Sequence, residues 1–188
     1  MTSQTILDFW FEKSPDMDKW FMKSTTYDEY IKTEFGETLK KAENGELVGW
    51  MLNKNSFVAY IVLLDQFSRQ IYRGQGEAFQ NDHNALIILN MCIDVYYDQL
   101  NKYEKMFVLM PYMHSEILKY QRLGWKRVVS ELNHHPEDTF WQNVHQHTVG
   151  HMDIIIRFGR FPKRNKALGR ETTLEETQYI EENPNRPY

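Results

Sequence analysis

A chain of 188 residues with 41% hydrophobic and 14% aromatic content can bury one sizeable core, and a formal net charge of -4 argues against a general binder of nucleic acid or acidic membranes. The single cysteine, Cys92, excludes an intrachain disulfide, a cysteine-based zinc site and a thiol pair for redox work, and it points to a reducing, cytoplasmic setting. The longest apolar run, Phe57 to Leu64, is far short of the roughly 20 residues of a membrane span, and Ile6 to Phe11, interrupted by Asp8, does not read as a signal peptide.

In chain order, Thr5 to Phe11 reads as a short aromatic helix broken at Pro15, and Asp18 to Met22 as a turn that brings Trp20 and Phe21 inward. Tyr27 to Glu43 places Tyr27, Tyr30, Ile31, Phe35 and Leu39 at helical spacing and stops at Asn44-Gly45. Asn53 to Tyr72 is the central helix, closed by Gly74 and Gly76. Asp82 is expected to cap a long helix through Leu100, whose apolar face runs from Ala85 and Leu86 to Ile93 and Tyr96. A further helix is expected from Met113 to Ser115, just past Pro111, to Leu132, and another from Asp138 or Thr139 to Phe158, where Gly159 and Pro162 end it. Thr173-x-x-Glu176 has the spacing of a capping box and opens a last helix to about Glu182, leaving residues 183–188 as a non-helical tail. No convincing period-2 strand and no repeat of about 34 residues is visible. The expectation is one all-α domain over residues 1–182, with its helices in antiparallel pairs.

Three polar groups fall on otherwise apolar faces. At about 100° per residue, Val58, Ile61, Val62, Asp65, Arg69 and Tyr72 share a face, so a core stripe turns polar in its last two turns, with Gln66 and Arg73 at the edge. Such a face is either a buried Asp65–Arg69 staple or one wall of a polar pocket. The second group is His114, Ser115 and Glu116, followed by Gln121 on the face of His114. The third is His147 and His151, one turn apart above Ile154 and Phe158. Two imidazoles at this spacing suit a metal only with a third ligand, from His114, Glu116 or Asp65, and hydrogen-bonded histidines with no metal are the favoured reading.

Arg157, Arg160, Lys163, Arg164, Lys166 and Arg170 crowd one stretch that contains no acid. Guanidinium forks there suit a carboxylate or a phosphate. The alternatives are arginines that cap helix carbonyls and pair with Glu175 or Glu176, or a nucleic-acid surface, which limited aromatics and net negative charge disfavour. No Walker-type phosphate loop, Gly-x-Ser-x-Gly elbow or dinucleotide fingerprint is present.

The segments Phe9-Trp10-Phe11, Leu64-Asp65-Gln66-Phe67-Ser68-Arg69-Gln70-Ile71-Tyr72-Arg73-Gly74, Met113-His114-Ser115-Glu116 and Arg157-Phe158-Gly159-Arg160-Phe161-Pro162-Lys163-Arg164-Asn165, then Leu168-Gly169-Arg170, occur together and in order. From about Ile6 to Ile180 the chain resembles the domain of unknown function 924 family. The resemblance implies a TPR-like stack of antiparallel helices and carries no established reaction. It implies family-like polar positions at Asp65, Gln66, Arg69, Tyr72, Arg73, His114, Ser115, Glu116, His151, Arg157, Arg160, Arg164, Asn165 and Arg170. Lys163 stands where the family usually has His, which an anion-binding role would survive.

The reading that follows is a helical protein with a polar pocket for a small anionic molecule, needing no cofactor. Gln66, Arg69, Tyr72, Arg73, Arg157, Arg160, Arg164, Asn165 and Arg170 are its expected ligand-binding residues. His114, His151, Asp65 and Glu116 are the candidates for acid–base work. The alternative is a TPR-like interaction module that takes an acidic peptide or C-terminal carboxylate.

Overall fold

The computed structural model describes residues 1–12, 20–21 and 23–184. The break expected at Pro15, the turn from Asp18 to Met22 apart from Trp20 and Phe21, and the end of the tail lie outside the described residues. Among the described residues the chain is all-α, without strands, and it forms two compact units, Met1–Pro111 and Tyr112–Tyr188.

The first unit begins with α1 (Ser3–Leu7), capped by the Thr2 hydroxyl, and a π-helical turn at Asp8–Glu12. Helix α2 (Thr25–Glu43) starts where the Ser24 side chain accepts the Tyr27 amide, and it stops where Gly45 takes a φ of 76°. The aromatics of these segments interlock at the centre of the unit. Trp10 meets Phe107 and Phe67 edge to face at centroid distances of 5.3 and 5.4 Å, and Trp20 lies 4.8 Å from Phe107. Trp20 is buried as expected and donates its indole N–H to the Trp10 carbonyl at 2.8 Å, whereas Phe21 is 55% exposed, not inward.

The central helix is built in three pieces: α3 (Lys54–Ile61), a π-helical stretch at Val62–Phe67 and α4 (Ser68–Ile71). Phe57 through Ser68 are all buried, so the single core-facing stripe of the sequence reading gives way to a helix enclosed on every side. The wide turn also moves the following side chains out of a simple 3.6-residue register. Helix α5 (Asp82–Tyr96) does not use Asp82 as its cap: Asn81 holds that position, and the Asp82 carboxylate accepts from Arg69 instead.

Helix α6 (Lys102–His114) was not expected, because Pro111 reads as a breaker. Its opening signal is nevertheless in the sequence. Asn101 Oδ1 accepts the amides of Tyr103 and Glu104 at 3.0 and 3.1 Å, and Glu104 Oε2 accepts the Asn101 amide at 2.8 Å, a reciprocal cap. Burial of Met106 through Met113 keeps the chain helical past the amide that proline lacks.

In the second unit α7 (Leu118–His134) and α8 (Thr139–Phe158) form a helical hairpin over a short loop. Helix α7 therefore begins at Leu118, later than expected. Gln121 lies on its buried face and donates to the carbonyls of Met113 and Ser115, at 2.5 and 2.7 Å, which satisfies acceptors at the end of α6. Asp138 caps α8, and Gly159, at φ 69°, ends it. Helix α9 (Leu174–Glu182) opens with both halves of the capping box at Thr173 and Glu176. Its Tyr179 joins Ile154, Ile155 and Phe161 in an apolar core.

Candidate functional site

The first unit holds one of the expected polar groups. Asp65 is fully buried, and its side chain is contacted by the amide of Gln66 and by Arg69 Nη1 at 3.2 Å. The same Arg69 donates to the Asp65 carbonyl at 2.6 Å and to Asp82 Oδ1 at 2.9 Å. The carbonyl that this side chain reaches lies within the π-helical stretch. Burial works against the Arg69 cation, but Asp65 and Asp82 outweigh it and raise its pKa. One guanidinium thus ties the central helix to the start of α5. Arg73 forks onto Asp28 of α2, donating to Oδ1 at 2.7 Å, and half-buried Tyr72 has its hydroxyl pKa raised by burial and by Glu43.

The second unit builds a denser arrangement around Phe161. Its amide donates to Glu116 Oε1 at 2.8 Å, and its carbonyl accepts from Arg170 Nη2 at 3.1 Å. Glu116 and Arg170 in turn form a two-point pair, Nη1 to Oε2 at 2.6 Å and Nη2 to Oε1 at 2.9 Å. Asn165, fully buried, accepts from Arg170 Nε at 3.0 Å and donates to Glu176 Oε2 at 3.3 Å. Glu176 receives Arg160 through Nε at 2.6 Å and Nη2 at 2.8 Å, and its Oε2 accepts the Thr173 amide. The result is a continuous chain, Glu116 to Arg170 to Asn165 to Glu176 to Arg160, that fixes both backbone polar groups of Phe161.

Electrostatics follow from these contacts. Burial alone would raise the Glu116 carboxyl, but Arg170 and the Phe161 amide hold it below its ordinary value. The hydrogen bonds from Arg160, helped by the Thr173 amide and against the burial cost, lower Glu176 to about 2.

The ring that this chain fixes carries two functional groups. The Arg164 guanidinium lies over Phe161 at 4.5 Å from the centroid, and the His151 ring stands edge-on to it at 5.8 Å. Both are buried, and the His114 ring lies 5.9 Å from that of His151. His151 Nδ1 is 2.7 Å from the His147 carbonyl. A carbonyl only accepts, so Nδ1 carries the proton in neutral His151 and Nε2 is its basic nitrogen. Burial, then the charges of His114 and Arg164, push His151 well below 6.5, against the opposing effect of the His147 carbonyl.

The expected anion-binding arginines therefore separate. Arg69, Arg73, Arg157, Arg160 and Arg170 each hold a carboxylate, from Asp65 and Asp82, Asp28, Glu175, Glu176 and Glu116 respectively. Lys163, at the position of the family's usual His, donates to the carbonyls of Asn183 and Pro184. Ser115 Oγ accepts the Ile117 amide and shapes the turn before α7. His147 is exposed and contributes its carbonyl, and among the described residues no three of His, Cys, Asp and Glu converge into a metal cage. The sequence reading overlooked Phe161 as the organiser and Asp28 and Asp82 as carboxylate partners. Asp82 was legible only as a cap, and nothing local marks the other two.

The fold and these contacts define an all-α protein with a polar centre organised on one phenylalanine. The chain belongs to the bacterial proteins of unknown function DUF924, whose family model matches residues 6–184. It is similar to the structure of a protein of unknown function, ATU0120, from Agrobacterium tumefaciens, with 34% identity, a TM-score of 0.83, and coverage of 96% of this chain and 97% of that one. No curated protein matches the chain.

Proposed function

We propose that the second unit binds a small anionic molecule, a carboxylate or a phosphate, with Arg164 holding its charge and His151 Nε2 taking a proton beside it. The observation that carries this reading is the shared seat of the two groups on Phe161, a guanidinium on its face and a neutral imidazole at its edge. Glu116, Arg160, Arg170 and Asn165 then act as positioning residues, because their hydrogen bonds are spent on one another and on the Phe161 backbone. His114 is the second imidazole within reach of His151 for relaying a proton. In this reading the α7–α8 hairpin belongs to a TPR-like scaffold, and the lone buried Cys92 fits a cytoplasmic setting.

The test is a thermal-shift and native mass-spectrometry screen of phosphorylated and carboxylated metabolites on the wild type, Arg164→Gln and His151→Asn. Each variant is compared with its own unliganded melting temperature, so that loss of stability is not mistaken for loss of binding. A ligand that raises the wild-type melting temperature and leaves that of Arg164→Gln unmoved is the expected result. A shift of equal size in both proteins, or no shift in the wild type with any compound, would overturn the proposal.

A further inference from the structure

On α7, Leu118, Lys119, Arg122, Leu123 and Lys126 line an open cavity of about 270 Å³. Its charged members are all cations, they are exposed, and among the described residues none of them holds a carboxylate. Arg157, Arg160 and Arg170 of the same unit each have an acid on the guanidinium. The strip is thus set apart from the basic segment that the sequence brings to attention.

The cations are unfavourable to the helix that carries them. Lys119 and Arg122 are three residues apart and Arg122 and Lys126 four apart, the spacings at which like charges repel across a turn. They begin in the first turn of α7, which has no acid and no side-chain cap to offset them against the positive end of the helix dipole. A local rule broken without compensation inside the chain marks a place where a partner supplies the compensation.

We propose that this face of α7 docks an acidic amphipathic helix of a protein partner. A partner helix rises by the same 1.5 Å per residue, so carboxylates at i, i+4 and i+7 on an antiparallel helix fall opposite Lys126, Arg122 and Lys119 over about 10 Å. Half-buried Leu118, which packs against the core of the unit, and half-buried Leu123 border the cations on either side, and Ile117 stands 55% exposed next to Leu118, which suits aliphatic side chains flanking the acids. A nucleic acid fits less well, since no aromatic side chain lines the cavity to stack on a base and the chain carries a net charge of -4.

The experiment is fluorescence anisotropy on the full chain, with a labelled helical peptide of about 18 residues carrying Glu at i, i+4 and i+7 and leucines beside them, and a Gln-for-Glu control. The wild type is expected to bind the Glu peptide saturably, more weakly as salt is added, and the control at least about tenfold more weakly. The triple variant Lys119→Glu, Arg122→Glu, Lys126→Glu is expected to lose about tenfold or more with an unchanged circular-dichroism spectrum. Arg122→Gln alone, should the triple variant fail to fold, is expected to lose about threefold. Equal binding by wild type and variant, no binding by the wild type up to millimolar peptide, or tighter binding of a single-stranded oligonucleotide of matched charge would overturn the proposal.

Discussion

Arg170 grips both carboxylate oxygens of Glu116, a residue 54 positions earlier in the chain, at 2.6 and 2.9 Å, and from the same guanidinium holds the carbonyl of Phe161. Glu116 meanwhile takes the Phe161 amide, so this one ion pair fixes the aromatic ring on which Arg164 and His151 sit. Removing half of it leaves a half-buried charge and frees that backbone. Arg170→Ala is expected to cost about 1–3 kcal/mol, below the full cost of breaking a buried pair because both side chains are about a quarter exposed. Chemical denaturation measures the loss. A cost indistinguishable from zero would mean that the pair does not hold the ring.

Arg69→Ala is expected to be more damaging. Asp65 is fully buried, and Arg69 is its guanidinium partner and that of Asp82 at once. The expected loss is about 3–5 kcal/mol in urea unfolding, with partial recovery in Arg69→Lys, which restores the charge without the fork. A stable, well-folded alanine variant would return Arg69 to the list of ligand-binding groups.

The stability of the protein should fall as the solution is acidified below 6.5. His151 is depressed well below 6.5 by burial, with its neighbours adding to the effect. The unfolded chain takes up that proton near 6.5 and the folded chain does not, so below 6.5 the unfolded state binds more protons. The stabilisation is complete above 6.5 and is lost progressively as pH drops toward the folded value. The offset between the melting curves of wild type and His151→Asn should be constant above 6.5 and should shrink below it, where the wild type alone loses this contribution; curves parallel throughout would assign the fall to other groups.

Thr173→Ala removes the hydroxyl that accepts the Glu176 amide at the start of α9. A loss of about 1 kcal/mol is expected. Glu176, lowered to about 2 from 4.5 by Arg160 first, adds stability that is complete above 4.5 and fades toward about pH 2, so Glu176→Gln should flatten the acid limb of the unfolding profile. An unchanged acid limb in that variant would show that the Arg160 pair adds nothing in solution.

Gly124→Ala tests the close approach within the second unit. A Cβ at this position would lie 2.9 Å from Tyr112 Cβ, too near for either backbone to ignore. Overpacking of this kind is expected to cost about 1–3 kcal/mol, although alanine is otherwise the better helix former. A more stable alanine variant would show that Tyr112 yields freely.

Much of this architecture is written locally. The Ser24, Asp138 and Thr173 caps, the left-handed Gly45 and Gly159 stops and the period of the apolar residues place α2, α8 and α9 within a residue or two, because each depends on groups a few positions apart. The family segments likewise contain Glu116, Arg164, Asn165 and Arg170, and with His151, a family-like polar position outside them, these meet around Phe161 or in its hydrogen-bonded chain. What the sequence determined by itself was therefore an all-α chain, most of its helix ends and the inventory of its polar centre. Only the tertiary structure decided the partners: Arg170 with Glu116 across 54 residues, Arg73 with Asp28 across 45, and Asp82 turned from a cap into an acceptor for Arg69. It also carried α6 through Pro111 and opened a π-turn at Val62–Phe67. Those outcomes turn on burial and on which groups are brought within hydrogen-bond reach, and neither is encoded in local propensity.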